Sequence, residues 1–530
     1  MKPKGHPIDV RFWAFLALLA YLAFDLSRVA FIESHPDEDA CMAIGWLLSK
    51  GWRLYGDVFS HHMPLDYIPS WAVASLAGNR LEAFRGCMIL MWATTCLGLY
   101  VALRRRDDAS TRLVPYLFAC LSSQWLTFWM GQMMLVESYW GYIVVLLLAI
   151  IGGPLGLPER PVDAVESVLA GFLLAVLLSA SLTCVLPFAC LLIWLAADPD
   201  WRKAWKGLLA GAVAWSGLLL LWCARHVDLS QWYAQVVWFN THVYPRFYGF
   251  QTGHLYSGFL AAALKDTAAY FAAVPHGSLL EWYFEGLIKI GALGWIVWSF
   301  ARRNAFRGAW WLVFIVAVKA RAERFAFVIP FHTAPFYLAA TLLVAIELSR
   351  LWALVQRRSS LRLSAAAALA AAIVLAPTIV ATSMATASLK GFAKADPARE
   401  AAVSAIRRCT APADPIAAFP FGARYYLETS RVPAVPNVLY LPWQAAWEPQ
   451  HAATLAGLAQ ARPKAVIIED TEVWGVPWKE YGRDVEAEVR KHYVPVPLGP
   501  ESGEPARVRL YVQRFARAGA GPLCGTMKSE

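Results

Sequence analysis

Long apolar runs constrain the fold of this chain more than any other feature of its sequence. Runs such as residues 208–224 and 365–380 approach the roughly 20 apolar residues that a helix needs to span a bilayer. Lipid offers the backbone no hydrogen-bond partners, so each such run is expected to form a helix. Only 16% of the residues are charged, far fewer than in soluble globular proteins. The sequence therefore predicts a polytopic α-helical membrane protein.

Basic residues cluster in the short turns between these runs, and their placement predicts the sidedness of the chain. The clusters lie within residues 104–112, 202–206, 302–307 and 350–362. Short basic turns are retained in the cytoplasm. They form no continuous basic face, so the formal net charge of +10 does not indicate a nucleic-acid partner.

Alternating sides from a cytoplasmic N-terminus gives about eleven transmembrane helices and an extracytoplasmic C-terminus. We expect a multi-pass protein of the cell inner (plasma) membrane, with membrane lipid as one of its partners. The expected spans are residues 12–32, 83–103, 113–130, 139–153, 164–181, 183–197, 204–224, 281–301, 308–320, 325–347 and 363–388.

The chain is expected to form two domains. Residues 1–388 make the transmembrane domain, with outer loops at 33–82 and 225–280, and the aromatic second loop is expected to lie along the membrane surface. Residues 389–530 are richer in charges and prolines, and helices alternate there with strands, which predicts a small α/β domain. Within this domain we expect helices at 396–408 and 481–492 and strands at 415–419, 465–468 and 508–513.

Two cysteines, Cys409 and Cys524, bracket this C-terminal region. An oxidising compartment would permit a disulfide between them. Their separation in space does not follow from the sequence, so the paired and the free states both stay open.

The first outer loop carries the densest set of polar residues. Three acids, Asp37, Glu38 and Asp39, follow the first expected span almost directly. A partly desolvated carboxylate can act as a general base, whereas a solvated acidic loop would explain the same residues without any chemistry. Two further polar segments follow at residues 51–57 and 61–67.

The order of these elements resembles the GT-C fold glycosyltransferases that use lipid-phosphate sugars. The similar branch is that of the protein O-mannosyltransferases and the aminoarabinose transferase of lipid A. The sequence departs from the family pattern where His62 replaces a lysine and Met63 replaces a proline. The matching positions are Asp37, Glu38, Gly51, Tyr55, Asp57, Pro64, Leu65 and Tyr67.

The resemblance implies roles for these residues. Asp37 is expected to be the catalytic base or to orient the acceptor, with Glu38 as its helper. His62 occupies the position of a basic residue that lies near the donor phosphate. Tyr55, Asp57 and His61 are expected to bind substrate.

Glu137 is a further candidate because it lies in a very short outer turn between two expected spans. A carboxylate at membrane depth is costly, and the resembling family also has an acid at this turn. A catalytic contribution and a glutamate that simply faces water at the interface both remain open.

A group of cations on the outer side runs against the positive-inside trend and therefore needs a reason. Arg321 and Arg324, together with Lys319, are expected to bind the donor phosphate, because arginine offers paired donors to phosphate oxygens. An internal salt-bridge set with Glu323 is the alternative. His332 is either a substrate contact or a hydrogen-bonded structural histidine.

The histidines of the first loop do not indicate a metal site. His35, His61 and His62 lie near acids, but none has the helical spacing of a zinc site. We therefore expect a metal-independent reaction without a cofactor.

Taken with the resemblance, these features predict an inverting hexosyl or pentosyl transferase of the cell envelope. It would move a sugar from a polyprenyl-phosphate donor to a hydroxyl of a lipid, glycan or protein acceptor on the extracytoplasmic side. The alternative is a transporter or flippase for a lipid-linked or anionic solute, which should have mid-membrane charges and two similar halves. The chain has few of the former and no evident repeat, which favours the enzyme.

Overall fold

The apolar runs form helices in the computed structural model of the protein. Each expected span up to residue 347 overlaps one of these helices. The last expected span, 363–388, lies outside the described residues. The structure describes residues 10–28, 35–106, 108–128, 136–248, 264–265, 267–272, 279–319, 334–358, 396–496, 498 and 508–513.

The helices up to residue 358 are numbered in chain order. A 3₁₀ turn, Pro64–Asp66, precedes α3, and a π-helical segment, Tyr233–Trp238, lies between α11 and α12. The helices are α1 Val10–Arg28, α2 Pro36–Ser49, α3 Ile68–Ala77, α4 Leu81–Arg104, α5 Val114–Phe128, α6 Val136–Ile151, α7 Ala164–Ala180, α8 Val185–Ala197, α9 Pro199–Lys203, α10 Trp205–His226, α11 Leu229–Trp232, α12 Phe239–His242, α13 Pro245–Tyr248, α14 Leu279–Ala301, α15 Ala305–Lys319 and α16 Ala334–Arg358.

Four helices within the described ranges are long and apolar enough to cross a membrane: α1, α4, α10 and α16. Several shorter apolar helices accompany them, including most of α6, α7 and α8. The α7 and α8 helices are separated only by Ser181, which is extended, and a 3₁₀ turn at Leu182–Cys184.

The chain divides into two compact units. The first unit comprises Met1–Ile32, Arg85–Gly217 and Leu260–Gly391. The second unit comprises Glu33–Phe84, Leu218–Phe259 and Phe392–Glu530. The expected outer loop at 33–82 and residues 225–259 of the second expected loop therefore belong with the C-terminal region, whereas residues 260–280 belong with the first unit.

The C-terminal region contains a four-stranded mixed sheet with the strand order β1-β2-β6-β5. The β1 strand pairs with β2 in parallel, whereas β2 with β6 and β5 with β6 are antiparallel. A separate two-stranded ribbon joins β3 and β4. The strands are β1 Ile416–Phe419, β2 Ala465–Glu469, β3 Glu472–Val473, β4 Val476–Pro477, β5 Tyr493–Val496 and β6 Val508–Gln513, and the helices are α17 Pro397–Cys409, α18 Gly422–Thr429, α19 Pro442–Ala445, α20 Glu448–Ala461, α21 Trp478–Tyr481 and α22 Arg483–His492.

The helix predicted at 396–408 is confirmed as α17, with Asp396 as its N-cap. The three predicted strands are confirmed as β1, β2 and β6. The helix predicted at 481–492 is two helices, because the chain turns at Gly482, whose Cβ position is filled by the Trp478 ring. Sequence patterns missed α18, α20 and β5. The alanine-rich α20 lacks a clear apolar stripe, which is the signal that periodicity detects.

Cys409, at the end of α17, is disulfide-bonded. Cys524, the partner that the sequence left open, lies outside the described residues. A disulfide is typical of proteins in oxidising compartments, which is consistent with an extracytoplasmic C-terminal region.

Glu486 of α22 forms a group of hydrogen bonds at one side of the core of the C-terminal region. Its carboxylate accepts hydrogen bonds from Arg509 Nη2 at 2.5 Å, Trp478 Nε1 at 2.9 Å and Arg490 Nη2 at 2.9 Å. Burial alone would raise the pKa of Glu486, but these hydrogen bonds outweigh burial and lower its pKa below the ordinary value of 4.5.

Replacing Glu486 by glutamine should destabilise the C-terminal region by about 1–3 kcal/mol at neutral pH, because charge-assisted hydrogen bonds are lost. A carboxylate with a lowered pKa stabilises the folded state above its unfolded pKa and loses this effect as the pH falls. The difference from the unsubstituted protein should therefore shrink in acid, as thermal unfolding in detergent would measure. Glu480→Gln, at an exposed position, serves as the control, and equal melting of both variants at neutral pH would contradict the assignment.

Candidate active site

The acidic motif lies in the first turn of α2, within the second unit. His35 is the N-cap residue, and its Nδ1 accepts a hydrogen bond from the backbone N–H of Asp37 at 3.3 Å. Pro36 occupies the first helical position, where a missing N–H costs nothing. Acids in a first turn also interact favourably with the helix dipole. The segment is therefore an ordered helix start rather than a solvated loop.

Burial separates the three acids from one another. The Asp37 side chain is 42% exposed, and its Oδ2 lies 3.4 Å from His35 Nδ1. Glu38 is fully buried and Asp39 is 6% exposed. Asp37 is thus the acid of this turn that a solute can reach, as a general base must be.

The rest of α2 is buried on nearly all sides. Gly45 permits this burial, because a Cβ there would lie 2.3 Å from Ser70 Cβ on α3. The two helices therefore approach at backbone distance, and residues from Glu38 to Leu48 are buried.

The Gly-x-x-x-Tyr-x-Asp segment after α2 forms a tight turn. Gly51 and Tyr55 both have positive φ, at 93° and 67°. The Asp57 carboxylate accepts a hydrogen bond from the Arg53 backbone N–H at 2.7 Å and so closes the turn. The Leu54 N–H donates to the His226 carbonyl at 2.8 Å, which ties the turn to the end of α10.

The Tyr55 side chain is almost fully buried. Its hydroxyl donates to the His62 main-chain oxygen at 2.5 Å. Burial raises the pKa of Tyr55 well above its ordinary value, and Cys223 and Asp66 add to the effect, so the phenol stays neutral and can donate. Through this hydrogen bond, Tyr55 supports the His62 backbone. Contacts of Tyr55 and Asp57 with substrate remain predictions.

Gln235, in the π-helical segment, also forms hydrogen bonds to the main chain of this turn. Its Nε2 donates to the Tyr55 carbonyl at 2.7 Å, and its Oε1 accepts from the Ser60 N–H at 3.1 Å. Both ends of the buried amide are therefore satisfied by the backbone on either side of the turn. Segments of π-helix often occur at functional sites.

His62 lies against the 3₁₀ turn that follows it. Its Nδ1 lies 2.7 Å from Oδ2 of Asp66, which is fully buried, while a quarter of the His62 side chain is exposed. The preceding His61 ring packs among aromatic rings, 5.5 Å from Phe239 and 5.1 Å from Tyr244 between centroids. The two histidines thus have different surroundings, one ionic and one aromatic.

Tyr67 links this turn to the acidic end of α2. Burial raises the pKa of Tyr67 well above its ordinary value, and Asp66 and Cys41 raise it further. Cys41 lies one helical turn after Asp37, so both face the same side of α2. Tyr67 therefore lies close to Asp66 in the turn and to Cys41 of α2.

The C-terminal region contributes a cation that sequence inspection missed. Arg424 Nη1 of α18 lies 3.8 Å from Asp39 Oδ1, and its Nε donates to Glu428 at 2.5 Å. Arg424 belongs to no recognisable local motif, and its contact with Asp39 joins two distant segments of the chain.

Further contacts join the C-terminal region to residues 33–82. Asn79 Nδ2 donates to Ser430 Oγ at 3.0 Å, and the Phe59 N–H donates to the Pro436 carbonyl at 2.8 Å. Trp447 packs against Phe59, with ring centroids 5.7 Å apart. The C-terminal region therefore packs against the segments that contain Phe59 and Asn79.

The other predicted site residues lie wholly or partly outside the described parts of the structure. Arg321, Arg324 and His332 lie outside the described residues. Lys319 ends α15 and Glu137 lies in the first turn of α6, but their side chains also lie outside the described parts. In the ranges that the structure does describe, no three histidine, cysteine or acidic side chains are grouped as metal ligands would be.

No protein-family profile and no curated protein matches this sequence. Among solved structures, ArnT from Cupriavidus metallidurans bound to undecaprenyl phosphate is similar, with a TM-score of 0.55 and 13% identity over 94% of this chain and 97% of that chain. ArnT from the same organism in the apo state covers the same shares with a TM-score of 0.49. The chain therefore has the fold of ArnT, which is mostly helical and here carries a small C-terminal mixed sheet. The GT-C fold expected from the sequence is confirmed.

Replacing Arg424 by glutamine should loosen the contact between α2 and α18, because the buried Asp39 carboxylate loses an ionic partner. Arg424 also donates a hydrogen bond to Glu428, and the loss of this charge-assisted hydrogen bond should cost about 1–3 kcal/mol. Hydrogen exchange should become faster in residues 36–49 and 422–429, as mass spectrometry of the full chain would detect. Arg483→Gln removes an exposed arginine of the same region and should leave exchange there unchanged. Equal protection in the two variants would show that Arg424 does not hold α2.

Proposed function

We propose that this protein is an inverting glycosyltransferase that moves a sugar from a polyprenyl-phosphate donor to an acceptor hydroxyl. The observation that carries the proposal is the accessible Asp37 carboxylate at the start of a buried helix, in a chain with the ArnT fold. The neighbouring Glu38 and Asp39 are buried, so the turn offers one reachable base.

The ArnT structure that shares this fold holds undecaprenyl phosphate. This supports a lipid-linked phosphate donor for the present chain. A lipid-linked donor also accounts for an enzyme that is embedded in the membrane, since such a donor can enter sideways from the bilayer.

In the proposed reaction, the acceptor oxygen attacks the anomeric carbon of the sugar. Asp37 takes the hydroxyl proton, and Glu38 supports this acid from its buried position. The bond between the anomeric carbon and the phosphate oxygen breaks, and the polyprenyl phosphate leaves with the electron pair. One direct displacement inverts the configuration at the anomeric carbon.

The departing phosphate needs positive charge, and electrostatic stabilisation of this kind is commonly the largest contribution to such steps. His62 is the described residue proposed to supply part of it. Arg321, Arg324 and Lys319 are proposed to supply the rest, with Glu137 as a further acid near the reacting groups. His61, Tyr55, Asp57 and His332 are proposed to shape the substrate pocket.

The reaction is proposed to take place outside the cytoplasm, in the inner (plasma) membrane of the cell. The basic turns support this sidedness through the positive-inside rule, and the disulfide of Cys409 supports it through redox chemistry. The C-terminal region from residue 389 onward is then extracytoplasmic, together with the segments 33–82 and 225–280. The acceptor is proposed to be a lipid, glycan or protein hydroxyl.

Asp37→Asn should lower the rate of sugar transfer by about 10²–10⁴-fold, the contribution expected of a general base. The measurement is transfer of a radiolabelled sugar from polyprenyl-phosphate donors by purified full-length protein. Asp484→Asn, at a largely exposed carboxylate of the C-terminal region, is the matched control and should retain full activity.

Two results would contradict the proposal. Full transfer by Asp37→Asn would remove Asp37 from the mechanism. Absence of transfer by the unsubstituted protein from a panel of lipid-linked sugars, together with movement of such lipids across vesicle membranes, would identify a flippase instead.

A further inference from the structure

The first unit contains a cavity of about 440 Å³ that the proposed transfer reaction does not use. Its wall is formed by the chain that follows α4 and α6, by the end of α8, by α9 and by the start of α15. The volume falls within the roughly 300–1,000 Å³ that is typical of small-molecule sites. The cavity is therefore large enough for a polar ligand of its own.

Several charged groups of the wall already have partners within the protein. Arg106 donates from Nη1 to the Pro158 carbonyl at 3.1 Å and from Nη2 to the Ile150 carbonyl at 2.6 Å. Arg160 forms an ion pair with Glu166 in the first turn of α7. These contacts hold the segment after α6 in place without any ligand.

The two aspartates of the wall have partners as well. Asp198 is the N-cap of α9 and accepts hydrogen bonds from the N–H groups of Asp200 and Trp201, at 3.0 and 3.3 Å. Asp200 Oδ1 in turn lies 3.1 Å from Nζ of Lys203. Neither aspartate therefore depends on a ligand for its partner.

The side chains of Arg307 and Glu159 also line the cavity, but they form no hydrogen bond and no ion pair with any described residue. The Arg307 side chain is partly buried, and its Nε is a buried donor without an acceptor. Gly156 lets the guanidinium lie against the main chain, because φ is +60° there and a Cβ would lie 2.9 Å from Arg307 Nη1. A charged group that leaves water without gaining a partner costs free energy, and a bound anion would offset this cost.

The two unpaired groups carry opposite charges. Glu159 lies near enough for its charge to act on Arg307, yet the two form no ion pair. A purely anionic ligand would meet the arginine but be repelled by the carboxylate. A ligand that carries both a phosphate and an ammonium group satisfies both, because arginine offers paired donors to phosphate oxygens and an ammonium offers three donors to a carboxylate.

The surroundings of the cavity favour a lipid as the source of these two groups. Phe306 lines the cavity and is 47% exposed, and Ile193 is an exposed apolar residue beside the lining residue Trp194. Exposed apolar side chains of this kind suit acyl chains. Two basic turns expected in the cytoplasm, 104–112 and 302–307, contribute to the wall. Basic pockets between membrane helices on that side commonly bind lipid headgroups.

We propose that this cavity binds the headgroup of a phospholipid of the ethanolamine class from the cytoplasmic leaflet, with its phosphate at Arg307 and its ammonium at Glu159. A bound headgroup joins the segment after α6, which carries Glu159, to the start of α15, which carries Arg307. The inference goes beyond the proposed function and does not depend on it.

The experiment measures equilibrium binding of three compounds to the purified full-length protein in detergent. They are a short-chain phosphatidylethanolamine, a phosphatidylglycerol of the same chain length, and soluble O-phosphoethanolamine. The unsubstituted protein should bind the ethanolamine lipid about tenfold more tightly than the glycerol lipid, which lacks the ammonium group. O-phosphoethanolamine should bind about tenfold more weakly than the ethanolamine lipid, because it has no acyl chains to bury.

Substitution of the two unpaired residues should give different patterns. Glu159→Gln should weaken binding of the ethanolamine lipid about tenfold without weakening that of the glycerol lipid, so the preference is lost. Arg307→Gln should weaken binding of both lipids about tenfold, because both contain a phosphate. Arg202→Gln is the matched control, because Arg202 is an exposed arginine of α9 that does not line the cavity.

Three results would contradict the inference. Equal affinity of the unsubstituted protein for the two lipids would remove the zwitterionic ligand. So would a preference for the ethanolamine lipid that survives Glu159→Gln, and this measurement remains decisive if Arg307→Gln fails to fold, because Glu159 is exposed. Binding of O-phosphoethanolamine as tight as that of the lipid would overturn the lipid as the ligand. Sugar transfer is measured separately, so these results leave the proposed function unchanged.

Discussion

Buried carboxylates govern the architecture of the second unit. Glu38, Asp39 and Asp66 are removed from water within or beside α2 and the following turn. Carboxylates in such surroundings need a positive charge or hydrogen-bond donors nearby. Arg424 accompanies Asp39 and His62 accompanies Asp66. Asp39 is thus accompanied by an arginine from a distant segment of the chain, α18, whereas Asp66 is accompanied by a histidine four residues away.

The helical character of the chain could be predicted from sequence because lipid leaves the backbone no alternative. The start of α2 could be predicted in part, since Pro36 and the following acids are typical of a helix N-terminus. The extent of its burial could not, because the burial depends on contact between Gly45 and Ser70 of another helix. Local patterns do not report which face of a helix a later segment will cover.

The candidate site shows the same division between local and distant information. The His62–Asp66 pair lies within four residues, and the spacing was visible in the sequence, although the burial of Asp66 was not. Arg424 could not be predicted from any motif, because the site acquires it only when α18 packs against α2. Tyr55 matched the family pattern, yet its hydroxyl is used by the main chain of His62. A motif position thus identifies an important residue without identifying its contact.

The π-helical segment Tyr233–Trp238 has a consequence for insertions and deletions in the second unit. Its wider coil determines where the Gln235 side chain points. The amide of that side chain hydrogen-bonds to the main chain at Tyr55 and at Ser60. Loss of one residue would restore the tighter α-helical winding and rotate the following side chains by about 100°. Two backbone groups would then lose their partners together. The aromatic segment is therefore under a constraint of length as well as composition, and changes of chain length should be tolerated less well there than changes of ring type.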